Sequence, residues 1–387
     1  MHARAPNAPR RQAVKLLAGS ALLPLFGGCG GAPTATPQGA YPGASLTEAM
    51  LSSSGADRSR VVSPWSALQF VTLMAPAMDP RAAADLLERQ GLPPQANRAL
   101  EAMAKPLPGM DSQRFIWTAL GIDLHTSYSR DAIEQGKAKL GQFDPAQPEA
   151  SAAKFNQQIA EATGNRIRDL MNAGDISPIA RLVAAATVHF RLPWASPFDP
   201  ARTRPGPFER SATEKLTLDF MHAVDIHPVA DVAGWTLLRM RYSHEAIVLD
   251  LVLPPAGSSP AGATARLTSL NSLQPARINL ALPRVRIEGE RFSLMPMFER
   301  AGLGAMLKPL TGLLEKQEEV KLETVVQKAF IEWDETGTEA AAATAGVVVG
   351  KGAGPGPREI TFNRPFAFFV RKAADGGILF AGQFHGS

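Results

Sequence analysis

The residue types that carry hydrolytic or metal chemistry occur in this chain, but not at spacings that would bring them together. A hydrolase needs a nucleophile, a base and an orienting acid, and the sequence holds no G-x-S-x-G segment. The seven histidines, His125, His189 and His222 among them, fall at no H-E-x-x-H or other metal-ligand spacing. They read as packed or surface side chains, and no metal or organic cofactor is expected. The glycine-rich GKGAGPG of residues 350–356 lacks the G-K-[ST] ending of a phosphate loop. Pro355 also takes an N–H out of any backbone cradle there, and Pro357 another.

The stretch with unusual spacing is 332–351, EWDETGTEAAAATAGVVVGK. Loops between packed elements are normally short and rich in Pro, Asn and Asp. Here every second residue from Thr338 gives Thr338, Ala340, Ala342, Thr344, Gly346, Val348 and Gly350, a face of small or uncharged side chains. Side chains alternate across a sheet, so Glu339 falls on the other face. The pattern suits a strand inserted late between two existing strands.

The run Glu335, Gly337, Thr338, Glu339, Ala340, Ala341, Ala342, Ala343, Thr344 resembles the hinge of the serpins, serine protease inhibitors that trap their target by inserting a cleaved loop into a central sheet. Phe362-Asn363-Arg364-Pro365-Phe366, then Phe368-Phe369-Val370-Arg371 and Gly377-Ile378-Leu379-Phe380-Ala381-Gly382, are similar to the strands that close such chains. Further matches are Ser63-Pro64-x-Ser66, Phe155-Asn156-x-Gln158 with Thr163-x-Asn165-x-Ile167, the spaced Trp194, Phe198 and Thr203, Val252-Leu253-Pro254, and Ala301-Gly302-Leu303. The resemblance spreads over residues 46–387. It implies an α+β fold of three β-sheets, about eight or nine helices and an exposed reactive-centre loop at 335–360.

By the family's counting the reactive bond follows the seventeenth residue from Glu335, which makes it Lys351-Gly352. A lysine there implies a trypsin-like serine protease as partner. Val349 would instead suit an elastase-like one, and Arg358 is a basic alternative lying close to the next strand. The implied mechanism is mechanical: the protease is acylated on Lys351, the segment 338–350 inserts, and the attached protease is deformed before water releases it. The chain departs from the family where the sheet opens. Ser66 and Trp194 keep their places, but Ala186 stands where Asn is common and Gln327 where His is common. A non-inhibitory carrier or chaperone of the same fold is the alternative, and an envelope structural or adhesion protein with an incidental loop is another.

With 387 residues, 45% of them apolar, the chain can build a sizeable core. The net charge of +4 is carried by the first 28 residues, where Arg4, Arg10, Arg11 and Lys15 meet no acid. The remainder is neutral, so nucleic-acid binding is not expected. Residues 1–28 read as an export signal; Arg10-Arg11 resembles a twin-arginine start, and Phe26-Gly27-Gly28-Cys29 resembles a lipobox. Cys29 is the single cysteine, which excludes an intramolecular disulfide and makes it the expected lipid attachment point on a bacterial envelope protein. Cleavage nearby as an ordinary signal, leaving a soluble secreted protein, is the other course.

The elements that would position the hinge follow from periodicity. Residues 29–45 read as a flexible tether. Helical patterns cover 46–51, 81–87, 97–104, 151–171 and 293–301, and Val61 to Met78 reads as a strand followed by a helix. Residues 115–125 alternate as a strand. Leu182–Phe190 is largely apolar, as in a strand buried on both faces, and Glu319–Trp333 reads as a long strand leading straight into the hinge. With no internal repeat, one domain and a monomer are expected.

Overall fold

The computed structural model describes residues 41–52, 57–315, 320–338 and 356–386. The chain begins α1 (Ala44–Leu51), β1 (Arg60–Val62), α2 (Pro64–Met74), α3 (Pro80–Arg89), α4 (Ala96–Ala104), β2 (Met110–Ala119), α5 (Thr126–Glu134), β3 (Ala138–Phe143), α6 (Pro148–Ala162), β4 (Leu182–Phe190) and β5 (Leu192–Pro193). Next come β6 (Arg204–Glu209), β7 (Lys215–Val232), β8 (Trp235–Arg241), β9 (Ile247–Leu253), β10 (Gln274–Pro283), β11 (Val285–Glu288) and β12 (Phe292–Ser293). The chain closes with α7 (Met295–Arg300), β13 (Thr324–Trp333), β14 (Gly337–Thr338), β15 (Arg358–Thr361), β16 (Phe366–Lys372) and β17 (Ile378–Phe384).

One sheet runs β3-β2-β4-β13-β14-β5, with β11 and β12 also paired to β13. A second hydrogen-bonded network runs β1-β17-β16-β9-β8-β7-β10-β15, with β6 on β7. The 18-residue β7 pairs with β6 and β10 along most of its length and with β8 only through Val229–Val232. It thereby joins two sheets, and with the first they make the three expected. The α+β class is the one expected. The described residues hold seven α-helices and, over Ala263–Ser272, a ten-residue 3-10 segment.

α2 is buried on every side and packs against β4 and β17, as a helix apolar all round must be. Its start is fixed by Ser63, whose Oγ accepts from the N–H of Ser66 at 3.2 Å, and by Pro64 at the first helical position. The other face of the first sheet is covered by α6, where Phe155 stacks on Trp117 at 4.1 Å and Gln158 accepts from Trp117 Nε1 at 2.8 Å.

The helical pattern over 151–171 is cut short at Ala162. Gly164 and Asn165 take positive φ, and the Asn156 side chain bonds both the N–H and the carbonyl of Met171 at 2.8 Å, holding the chain there without a helix. The strand expected over 115–125 runs instead from Met110 to Ala119. Beyond it the chain turns at Gly121 (φ 79°).

Candidate functional site

β13 ends at Trp333, and the next three residues are held by the segment after β5. The N–H of Trp194 donates to the Thr336 carbonyl at 3.0 Å, its Nε1 donates to the Asp334 carbonyl at 2.8 Å, and the N–H of Phe198 donates to the Glu335 carbonyl at 2.8 Å. Thr203 donates its hydroxyl to the Glu335 carboxylate. The spaced aromatic and threonine residues are therefore a cradle for the backbone of 334–336.

Glu335 is 5% exposed and also pairs with Arg284, whose Nε lies 3.0 Å from Oε1 and 3.2 Å from Oε2. Burial pushes its carboxyl up, but the Thr203 hydroxyl and the Arg284 guanidinium outweigh burial and hold it below the usual carboxylate range. Asp334 closes the turn: its Oδ1 accepts from the Thr336 N–H at 2.8 Å, the Thr336 hydroxyl at 2.6 Å and the Gly337 N–H at 3.3 Å.

Gly337 and Thr338 then lie as a two-residue strand between β13 and β5. Thr338 faces Trp333 on one side and Leu192 on the other, and Gly337 faces Pro193. A Cβ on Gly337 would stand 2.5 Å from the Leu192 carbonyl oxygen and 2.5 Å from Pro193 Cα. Only glycine lets the backbones approach so closely. Thr338 is fully buried, its hydroxyl 2.7 Å from that of Tyr242, whose ring stacks on Trp194 at 4.7 Å.

Farther along the sheet no strand intervenes. β4 and β13 pair directly and in parallel from Val183–Thr324 to Val188–Ala329. In that stretch Ala186 faces Gln327 on one side and Arg114 on the other. Gln327, fully buried, takes the Ser63 N–H on its Oε1 at 3.1 Å and donates its Nε2 to the Ser63 carbonyl at 3.0 Å. Ser63 in turn donates its hydroxyl to the Leu379 carbonyl at 2.7 Å.

A family model described as serpin (serine protease inhibitor) matches residues 43–386. The chain belongs to the serpin family. Mouse antithrombin-III is 30% identical over 259 residues, 64% of this chain and 56% of that protein, so the serpin spans little more than half the length of this curated relative. Serpin48 of the insect Tenebrio molitor, described as highly specific, superposes with a TM-score of 0.77 at 22% identity over 89% of this chain and 95% of that one. Human thyroxine-binding globulin complexed with its hormone superposes at 0.74, with 19% identity over 89% of this chain and 98% of that one. At such identities the structural likenesses establish the fold.

Of the hinge expected in this serpin, Glu335, Gly337 and Thr338 are described and come together as above. Glu339, Ala340, Ala341, Ala342, Ala343 and Thr344 lie outside the described residues, as do Lys351, Gly352 and Cys29. Arg358 is in β15 and paired with Asp231 at 2.8 Å, which fits its place beside the next strand. Ala186 and Gln327 face each other across the β4–β13 pairing, and Trp194 holds the turn that follows β13. The grip of Gln327 falls on Ser63, three residues before Ser66, whose own hydroxyl has no partner among the described residues. Sequence reasoning missed Tyr242, Arg284 and the Leu192-Pro193 ledge. Only their position in space marks them, since each is remote in the chain from the hinge it touches.

Proposed function

We propose that this serpin is a suicide-substrate inhibitor of a trypsin-like serine protease, with Lys351-Gly352 as the bond offered to it. The observation that carries the reading is the state of the central sheet. Gly337 and Thr338 already part β13 from β5, while β4 and β13 remain directly paired beyond them. The sheet is parted at one end and closed beyond it, and the residues that would continue the new strand are small and uncharged on alternate positions.

Cleavage would release the strand from its far end and let it run between β4 and β13. Each added residue gains ladder bonds worth about 0.5–1.5 kcal/mol each against backbone ordering of about 1–2 kcal/mol. Burial of the small face therefore has to supply the surplus. The demand on the other side is modest, since losing one oxyanion-hole donor costs a protease about 2.7–4 kcal/mol of transition-state stabilisation. No catalytic role is assigned to any residue of the chain itself.

Incubation of the purified protein with trypsin, followed by denaturing electrophoresis and mass spectrometry, tests this. A covalent adduct that survives denaturation, with a released fragment beginning at Gly352, is the expected result. Cleavage with neither an adduct nor a large rise in melting temperature would reject inhibition in favour of a non-inhibitory envelope protein of the same fold. Cys29 is proposed as a lipid anchor to the cell envelope; Cys29→Ser should then move the protein from the membrane to the soluble fraction.

A further inference from the structure

Away from the hinge, a cleft of about 180 Å³ lies between the start of α2, the end of α4 and β2. Arg114 of β2 lines it at 5% exposure with its Nε unmet, and among the described residues its guanidinium has no ion pair and no hydrogen bond. Trp65 Nε1, also buried, is unmet, as is Oε1 of Gln69, whose Nε2 donates to the Met103 carbonyl at 2.9 Å. Lys105 and Lys137 stand exposed at the mouth. So does Asp111, which accepts from Gln113 at 2.8 Å.

Guanidinium and indole nitrogens are donors only, and a charge is rarely buried without a partner. Burial lowers Arg114 to about 10, which leaves it cationic at neutral pH. We propose that this cleft binds the oxyanion group of a small molecule, a carboxylate or phosphate held by Arg114 and the Trp65 N–H, with a ligand hydroxyl donating to Gln69 and with Lys105 and Lys137 closing the field at the mouth. The polarity of the unmet atoms sets the ligand class. Two donor-only groups beside one acceptor match a hydroxy acid or a phosphate monoester better than a cation or a hydrocarbon.

The cleft is connected to the sheet in a definite way. Arg114, Ala186 and Gln327 occupy one register row, so their side chains share the face that meets α2. A strand entering between Ala186 and Gln327 must spread them by one strand spacing, about 4.8 Å. Gln327 holds β13 to Ser63 at the start of α2, so β4 and β2 are the side that moves, and Arg114 leaves Trp65 and Gln69. An anion bridging Arg114 to α2 opposes that movement. This last consequence rests on the insertion reading; the binding itself does not.

The test is calorimetric titration of the intact, uncleaved protein with citrate and with inorganic phosphate at fixed ionic strength, without any protease. Saturable binding of either at one site is expected, weakened about tenfold or more in Arg114→Gln, as loss of a hydrogen bond to a charged group predicts. Lys105→Ala, an exposed change that leaves the fold alone, should weaken it by about threefold, which keeps the test decisive if Arg114→Gln does not fold. Absence of saturable binding by the wild-type protein, or equal affinity in the folded variants, overturns the site. If binding holds, citrate at saturation should slow adduct formation with trypsin in the wild-type protein and not in Arg114→Gln. An unchanged rate would leave the site standing and reject the coupling.

Discussion

Gln327 meets Ser63 through both halves of its amide, at 3.1 Å to the N–H and 3.0 Å to the carbonyl, so one side chain of the central sheet satisfies a backbone donor and acceptor at the head of the buried helix. A neutral imidazole also has one donor and one acceptor, but its two nitrogens point apart, so it cannot clasp the N–H and the carbonyl of one residue as the glutamine amide does here.

Gln327→Leu leaves the Ser63 N–H buried and unmet, at about 1–3 kcal/mol, while the Ser63 carbonyl keeps the Ala67 N–H at 3.3 Å. The uncleaved protein should therefore lose stability in urea by a few kcal/mol, with Gln327→His falling in between. Equal midpoints for all three proteins would show that the grip contributes nothing.

Gly337→Ala drives a methyl group into the Leu192 carbonyl and the Pro193 backbone. Overpacking of this kind costs about 1–3 kcal/mol, and the short strand should leave its place. Amide exchange at Thr338 should accelerate by at least tenfold while that of β4 is unchanged. Slow exchange in the variant would mean that the ledge yields instead.

Acid should loosen the hinge before it unfolds the protein. The Glu335 carboxyl lies below its unfolded value, so its pairing contributes in full above that value and is lost as pH falls through the folded one. Emission from Trp194, which bonds the neighbouring Asp334 carbonyl, should report a step at a pH below the ordinary glutamate range. Glu335→Gln should lack that step, and its persistence would assign the transition to another carboxylate.

Thr338→Arg sets a long cation where a fully buried hydroxyl meets Tyr242. The proposed insertion should slow, so that trypsin cleaves the variant and departs. Quantifying adduct against cleaved product decides it: an undiminished adduct yield would contradict a role for Thr338 in insertion.

Much of this arrangement is legible in the sequence where burial is uniform. Leu182–Phe190 is apolar but for Thr187 and His189, and it is the central strand β4 over those same residues. α5 and β3 escaped notice for the opposite reason: α5 buries only Tyr128 and Ala132, too few to print a helical period. The cradle is half legible. The spacing of Trp194, Phe198 and Thr203 is visible, but what they hold lies 132 to 140 residues downstream, and no local pattern records a contact across that separation. The same holds for Arg114, whose missing partner appears only once β2 is laid against α2.

The two-residue strand at Gly337 and Thr338 also has a kinetic meaning. In any zipper the first rung is the slow one, because a chain end must be found and closed before bonds repay the lost freedom. Here that rung stands complete in the resting molecule. In the proposed reaction nothing remains to be nucleated: each later residue exchanges one β4–β13 rung for two, and in the uncut chain the covalent tether at the far end holds the strand back. A protease that cuts that tether starts a process whose slowest step was finished when the protein folded.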